Sequence, residues 1–508
     1  MEKNELFETM PIKKAVMKMS IPLMTSLLVT VIYNMADTFF IGQTGDANQV
    51  AAVSLTTPIF MLLMALSNVF GMGGSALISR TLGAKDTEGV KHISSFCFYS
   101  SIFLGIICIL VLNLKMEFIL KILGTSALTK SFCKEYLLYY IAGAPFVLCT
   151  FTLGNVVRSE GYSKEAMIGN MIGTFLNIIL DPIMILFLGM GVKGAALATV
   201  IGNISSVIYF VYHITTKSSI LSLSIKDFIM SKEIIKGVMV VGIPASINNI
   251  LMSISYVFVN NYLKVYGDAA IAGMGIANKV VSLVTLLLVG FAAGAQPIMG
   301  YSYGAKNNKR LGELLRFLFK AAVIGGFVGG AIIFIFANAI VRVFIDDVQI
   351  VSYGTSMLRA LMISSPVVGI IFVLSNLFQA MGKGTQSMVL AVGRQGIIFI
   401  PVIYIMSHLL NLKGIIISQA LTDILTAIFA YLTEYKDFYL LLKDRGILYF
   451  LKDIMRDLFG PKDEYTNLQA YTVAFINNGI YGWIEEWFLR GMQESGEEMT
   501  ELLKNRKL

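Results

Sequence analysis

Residues 19–42 read MSIPLMTSLLVTVIYNMADTFFIG. About 20 apolar residues cross a bilayer as a helix, so the run is long enough to span. It still carries an acid, Asp37, which costs roughly 2.5–3.5 kcal/mol on insertion scales. Its opening also returns later: SIPLMTSLLV at 20–29 is similar to GIPASINNIL at 242–251. One stretch therefore holds a membrane helix, an expensive charge and the start of an internal repeat.

The repeat extends along the chain. LGAKD (82–86) falls opposite YGAKN (303–307), NVVRSEG (155–161) opposite NLFQAMG (376–382), and VKGAA (192–196) opposite LKGII (412–416), all at a spacing of 220–222 residues. Apolar runs between these markers predict twelve spans, at about 15–42, 50–78, 94–114, 136–157, 166–188, 194–214, 237–263, 270–297, 318–341, 356–380, 386–408 and 414–432. Six crossings return the chain to its starting side, so the two halves repeat in parallel, and such repeats build two bundles around a cleft. The expected fold is an all-α membrane protein of twelve transmembrane helices. Its first lobe covers 1–214, a linker 215–236 and its second lobe 237–432, with a short soluble helical tail over 433–508.

Composition agrees. The chain has 508 residues, 56% hydrophobic and 14% charged, with mean hydropathy +0.73. A soluble protein carries about a quarter of its residues charged. The net charge of +8 comes from bases scattered between spans, which argues for cytoplasmic loops rather than nucleic acid. No cleavable signal peptide is expected, because the first apolar run is too long and its flank is polar. Cys97, Cys108, Cys133 and Cys149 lack CxxC spacing and read as small residues of the membrane core. His92, His213 and His408 are too scattered for a metal site.

A polar set gathers in the first half. In FLNIILDPIMI (175–185), Asn177 and Asp181 stand four residues apart on one helix face. Asp37, Asn155 and Thr199 lie in spans one, four and six. At the repeat's spacing, Asn177, Asp181 and Asp37 fall opposite Ile398, Val402 and Val259. If the fold needed acids for packing, both halves should have them, so the asymmetry favours function. Hydrogen bonding between helices is the plainer alternative for each residue. Carboxylate, amide and hydroxyl oxygens suit Na⁺, and the carboxylates suit a proton equally well. Pro182 removes a backbone donor beside Asp181. Neither GxGD nor HExxH occurs, so an intramembrane protease has no motif here, and no enzyme is expected.

With Pro22 and Asp37 in span one, ISRTLGAKD (78–86) after span two, NVVRSEG and the NxxxDP pattern of span five, residues 1–432 resemble the multidrug and toxic compound extrusion (MATE) transporters. The resemblance implies two lobes in a V, in the plasma (inner) membrane, and the excess of Lys and Arg on the side of the N-terminus argues for both termini in the cytoplasm. It implies export of organic cations or related drugs in exchange for inward Na⁺ or H⁺, with no cofactor besides that coupling ion and no other metal. Cation coupling would fall on Asp37, Asn177, Asp181 and Thr199, with Asn155 nearby, and Pro22 would be a hinge. One branch of the family also uses acids in spans seven, eight or ten, which this chain lacks. Its second lobe offers Arg394 and Asp423 instead, expected as a structural ion pair. The alternatives are a flippase of related fold for lipid-linked precursors, which would need a cationic cleft, and a ligand-sensing transporter regulated through the tail.

Beyond residue 432 the composition becomes amphipathic and soluble in character. AFINNGIYGWIEEWFLRGMQESGEEMTELL (474–503) resembles the C-terminal ligand-binding, dimerising domain of TetR-type regulators, which suggests a fusion. No helix-turn-helix accompanies it, so nucleic acid is not an expected partner. Dimerisation through the tail is an expectation, with a passive appendage as the plain alternative.

Overall fold

The computed structural model describes residues 5–434 and a few residues between 466 and 482. The tail expected over 433–508, with its sensing and dimerising roles, therefore lies almost wholly outside the described residues. All regular elements among the described residues are helical. The chain runs through α1 Ile12–Gly42, α2 Ala47–Gly83, α3 Thr87–Leu114, the short α4 Met116–Ile122, α5 Lys130–Ala142, α6 Ala144–Ser159, α7 Ser163–Asp181 and α8 Gly191–Thr216. It continues through α9 Lys232–Leu263, α10 Asp268–Gly304, α11 Asn308–Phe344, α12 Val348–Ile363, α13 Ser365–Met381, α14 Gly384–Val392 and α15 Phe399–Glu434.

Eight of these stretches are long and apolar enough to cross a bilayer, and two bent pairs would each make another. One of the eight, Gly384–Ile428, has 45 residues. As one rod it would measure about 67 Å, twice the hydrocarbon core. It turns back instead at Asn411 (φ 50, ψ −129). There a Cβ on Gly414 would collide with the Met406 carbonyl, so α15 supplies the end of the eleventh crossing and the whole of the twelfth. With the long stretch divided at Asn411 and with α9, 32 residues long, the described residues offer twelve crossings, in line with the twelve expected.

The expected fourth and tenth spans are bent rather than straight. α5 meets α6 at 54° and α12 meets α13 at 50°. Pro145 and Pro366 stand in the first turns of α6 and α13, where a missing amide is tolerated at a helix start but would break a helix interior. They are 221 residues apart, so the bend belongs to the repeat.

The repeated GAK segments have a plain structural reading. Lys85 (φ 63) and Lys306 (φ 54) turn the chain left-handed after α2 and α10. Asp86 and Asn307 then accept the Gly89 and Arg310 amides at 2.8 and 3.0 Å, capping α3 and α11. The linker lies along α3, where Ser94, Ser95 and Tyr99 donate to the carbonyls of Ser222, Ser224 and Leu223.

Each lobe packs on itself and meets the other through α1, α2, α9 and α10. Lipid is as apolar as these helices, so close packing of small residues has to hold them together. A Cβ on Gly73 would strike the Val238 carbonyl and one on Gly242 the Val69 carbonyl. Gly83 and Gly304 back onto the Tyr301 and Arg80 carbonyls in the same reciprocal way. Ser20 donates to Phe291 O at 2.8 Å, and Arg80 donates to Gln379 O and Ala380 O at 3.1 and 3.0 Å. Apart from a mid-span bond from Ser246 to Ala65 O (2.6 Å), these contacts lie toward the end of the molecule that carries the N-terminus.

Candidate functional site

Spans one, five and six meet inside the first lobe because α7 packs against both α1 and α8. Gly173 and Gly202 let α7 and α8 approach until each would press a Cβ onto the other's carbonyl. One turn along α7 stands Asn177, and one turn further Asp181.

Thr199 on α8 ties the set together. Its hydroxyl donates to Ala195 O at 3.0 Å, lies 3.3 Å from the Tyr33 hydroxyl, and accepts from Asn177 Nδ2 at 3.3 Å. Tyr33 precedes Asp37 by one turn of α1, so the same hydroxyl links the helices that carry both acids. Asp37 and Asp181 are electrostatic neighbours of each other and of Tyr33 and Tyr136. Asp37 is 8% exposed, Asn177 2% and Asp181 not at all.

Four buried oxygens here have no hydrogen-bond partner among the described residues: Asp37 Oδ1, Asn177 Oδ1 and both carboxylate oxygens of Asp181. An unsatisfied buried polar atom costs about 1–3 kcal/mol, more when charged. The set is oxygen-rich and anionic. No group of three or more His, Cys, Asp or Glu suited to a metal occurs among the described residues. Oxygens of this kind are chemically suited to a proton or a hard monovalent cation rather than to a soft transition metal.

Asn155 and Pro22 have these surroundings. Asn155 donates to Phe151 O at 2.7 Å and accepts from Arg158, and a Cβ on Gly71 would lie 3.0 Å from its amide. None of these partners belongs to the carboxylate cluster. Pro22 lies within α1, which runs from Ile12 to Gly42 without a break. Tyr33 and Tyr136 are site residues that sequence reasoning did not single out; the spacing of Tyr33 from Asp37 was the available signal for the first.

In the second lobe, Arg394 Nε and Asp423 Oδ1 meet at 2.7 Å. Ser364 and Gln419 donate to the same carboxylate at 2.8 and 3.2 Å, and the guanidinium lies over Phe372. Arg394 and Asp423 are the repeat counterparts of Gly173 and Gly202. Where the first lobe brings two backbones together, the second bridges the same helices with an ion pair.

A family model described as MatE matches residues 22–183 and again 244–405, so the match itself repeats at 222 residues. A second, described as a transcriptional regulator C-terminal region, matches 419–506 and begins inside α15, before the boundary expected at 433. The multidrug export protein MepA of Staphylococcus saprophyticus is 36% identical over 439 residues, 86% of this chain and 96% of that protein. MepA of Staphylococcus aureus gives the same figures. Among solved structures, the outward-facing conformation of a multidrug resistance MATE family transporter of the MOP superfamily superposes with TM-score 0.80 at 28% identity, covering 85% of this chain and 97% of that one. A MOP superfamily transporter from Pyrococcus furiosus superposes equally well, with the same TM-score of 0.80 and 28% identity.

Proposed function

The chain belongs to the MATE family of membrane transporters, and from that premise we propose that it exports organic cations and related drugs in exchange for inward Na⁺ or H⁺. In this reading it sits in the plasma membrane with both termini cytoplasmic. The joined end of the lobes then faces the cytoplasm and the cleft opens outward. Exposed bases at the joined end, Lys13, Lys85, Lys306 and Lys309 among them, support that orientation.

The observation that carries the coupling is the set of unpartnered oxygens on Asp37, Asn177 and Asp181. Bare, the two carboxylates repel each other without solvation. A proton or Na⁺ relieves both costs and changes how α1 rests on α7 and α8. Drug and coupling ion then favour opposite states of the two lobes, and each gradient-driven entry of the ion resets the cleft for another drug. A flippase for pyrophosphate-bearing lipids would want Arg394 free, whereas Asp423 neutralises it.

Ethidium uptake into everted vesicles, driven separately by imposed Na⁺ and pH gradients, tests this reading. The wild type is expected to respond to at least one gradient, and Asp37→Asn and Asp181→Asn, normally inserted, to neither. Full transport by both variants removes the carboxylates from the mechanism. A wild type inert in both gradients removes coupled export.

A further inference from the structure

The segment before α1 is built into the joint between the lobes. Glu5–Thr9 forms one helical turn, and Leu6, Phe7 and Met10 are buried in the same cluster as Tyr301, Leu311 and Leu314 of the second lobe. Phe7 stacks on the Tyr301 ring with centroids 4.7 Å apart and planes within 13°. The Tyr301 hydroxyl donates to Glu8 Oε1 at 2.7 Å. Arg310 Nη2 donates to the carbonyls of Leu6 and Met10 at 3.2 and 2.9 Å. On its other side the segment touches the first lobe: a Cβ on Gly161, in the turn between α6 and α7, would lie 2.9 Å from Leu6 and 3.2 Å from Phe7.

The repeat explains what this contact does. Gly161 and Gly382 are counterparts at 221 residues, and so are Arg80 and Tyr301. Across one half of the joint, Arg80 reaches from α2 to the end of α13, with its guanidinium against Gly382 and its bonds on Gln379 and Ala380. Across the other half, Tyr301 stands in the place of Arg80, and its ring and hydroxyl meet Phe7 and Glu8. Residues 6–8 carry that contact on to the turn after α6, running Tyr301–Phe7/Glu8–Leu6–Gly161. The joint thus has two pseudo-symmetric clasps, one made by an arginine and one by a strap from the N-terminal segment.

We infer that residues 5–10 are a removable gate element which holds the lobes together at this end and must leave Gly161 or Tyr301 whenever that end opens. The inference rests on the alternating-access reading above. Its test needs no drug. Spin labels at Lys164→Cys and Lys309→Cys, both exposed and on opposite lobes, report the separation of the joined end, while the four native cysteines are buried. Removal of residues 2–9 and Phe7→Ala are each expected to raise the population with this end open by roughly tenfold or more over the full chain. Tyr301→Phe, which deletes only the hydroxyl on Glu8, is expected to give a smaller shift in the same direction. It guards against misfolding of the larger changes. Distributions that stay at the closed distance in all three variants overturn the strap, whether or not efflux persists. If the end opens in the variants while the wild type exports nothing, the strap stands and the export reading falls.

Discussion

Asp181 is wholly buried with neither carboxylate oxygen partnered among the described residues, a costly state that the proposed coupling ion would relieve. Such a group is a stability liability that its ligand repairs. Because a bound cation or proton removes the cost of the unpartnered charge, the purified wild type should gain thermal stability on addition of Na⁺ or on acidification. An ion at a hundred times its dissociation constant adds about 2.7 kcal/mol. Asp181→Asn should start more stable than the wild type at the higher pH without Na⁺, and respond to neither treatment. A thiol-reactive dye reads the midpoint directly, since Cys97, Cys108, Cys133 and Cys149 are buried until unfolding. A less stable variant that still responds would take Asp181 out of the site. Thr199→Val should weaken the same response by about tenfold in ion concentration, through loss of one hydrogen-bonding oxygen worth about 1–1.5 kcal/mol. The two acids were legible in the sequence because a charge in an apolar run is expensive and the repeat lacks them in its second half. Tyr136 was not, since tyrosine is ordinary in membrane helices, and for Tyr33 the spacing from Asp37 was a weak signal that the contact with Thr199 makes specific. Asn155 stands in a recognisable motif, and its hydrogen bonds run to Phe151 and Arg158 of its own helix.

At the scale of elements, the helices that differ most between the lobes are the fifth and sixth crossings against the eleventh and twelfth. The first pair closes through Gly173 and Gly202, while the second is bridged by Arg394 and Asp423. A bridge of this kind stabilises little by itself, because desolvation offsets most of the attraction, yet losing one partner strands a buried charge. Arg394→Met should therefore cost about 3–5 kcal/mol. Arg394→Met combined with Asp423→Leu should recover most of it, and a double variant as unstable as the single one would show that the pair does more than neutralise itself. The joint between the lobes responds to bulk instead. Gly304→Val would drive a side chain into the Arg80 carbonyl, where backbone on both sides leaves nothing to yield. It should shift the Lys164–Lys309 distance toward the open state with little effect on the first-lobe site. Hydropathy and the repeat indicated the helical two-lobed fold but could not show the bends. Pro145 and Pro366 could be kinks inside one helix or starts of another, and only packing decides between them. The strap was hidden for a different reason: six residues carry no periodicity, and their burial depends on contacts that exist only once both lobes are folded.

For the whole molecule, the MatE match ends at 405, the MepA relatives extend over 439 residues, and the transcriptional-regulator match runs from 419 to 506. The two resemblances overlap inside α15, on the helix that carries Asp423. The transporter needs that helix, since Ser364, Arg394 and Gln419 all converge on it. The regulator-like segment would need an earlier part of its own domain, which α15 is in no position to supply while it packs against α12 and α13. The membrane crossings should therefore be self-sufficient. A chain ending after Glu434 is expected to insert, to show the same Na⁺- or acid-dependent midpoint, and to transport ethidium at the rate of the full chain. The chain's only two tryptophans, Trp483 and Trp487, lie beyond that point, so tryptophan emission from the full protein reports on the tail alone. If the tail is a passive appendage, drug titration leaves that emission unchanged over concentrations that saturate transport. Emission that shifts in step with drug, together with a truncated chain whose transport is several-fold altered, would make the tail a sensor coupled to the lobes through α15.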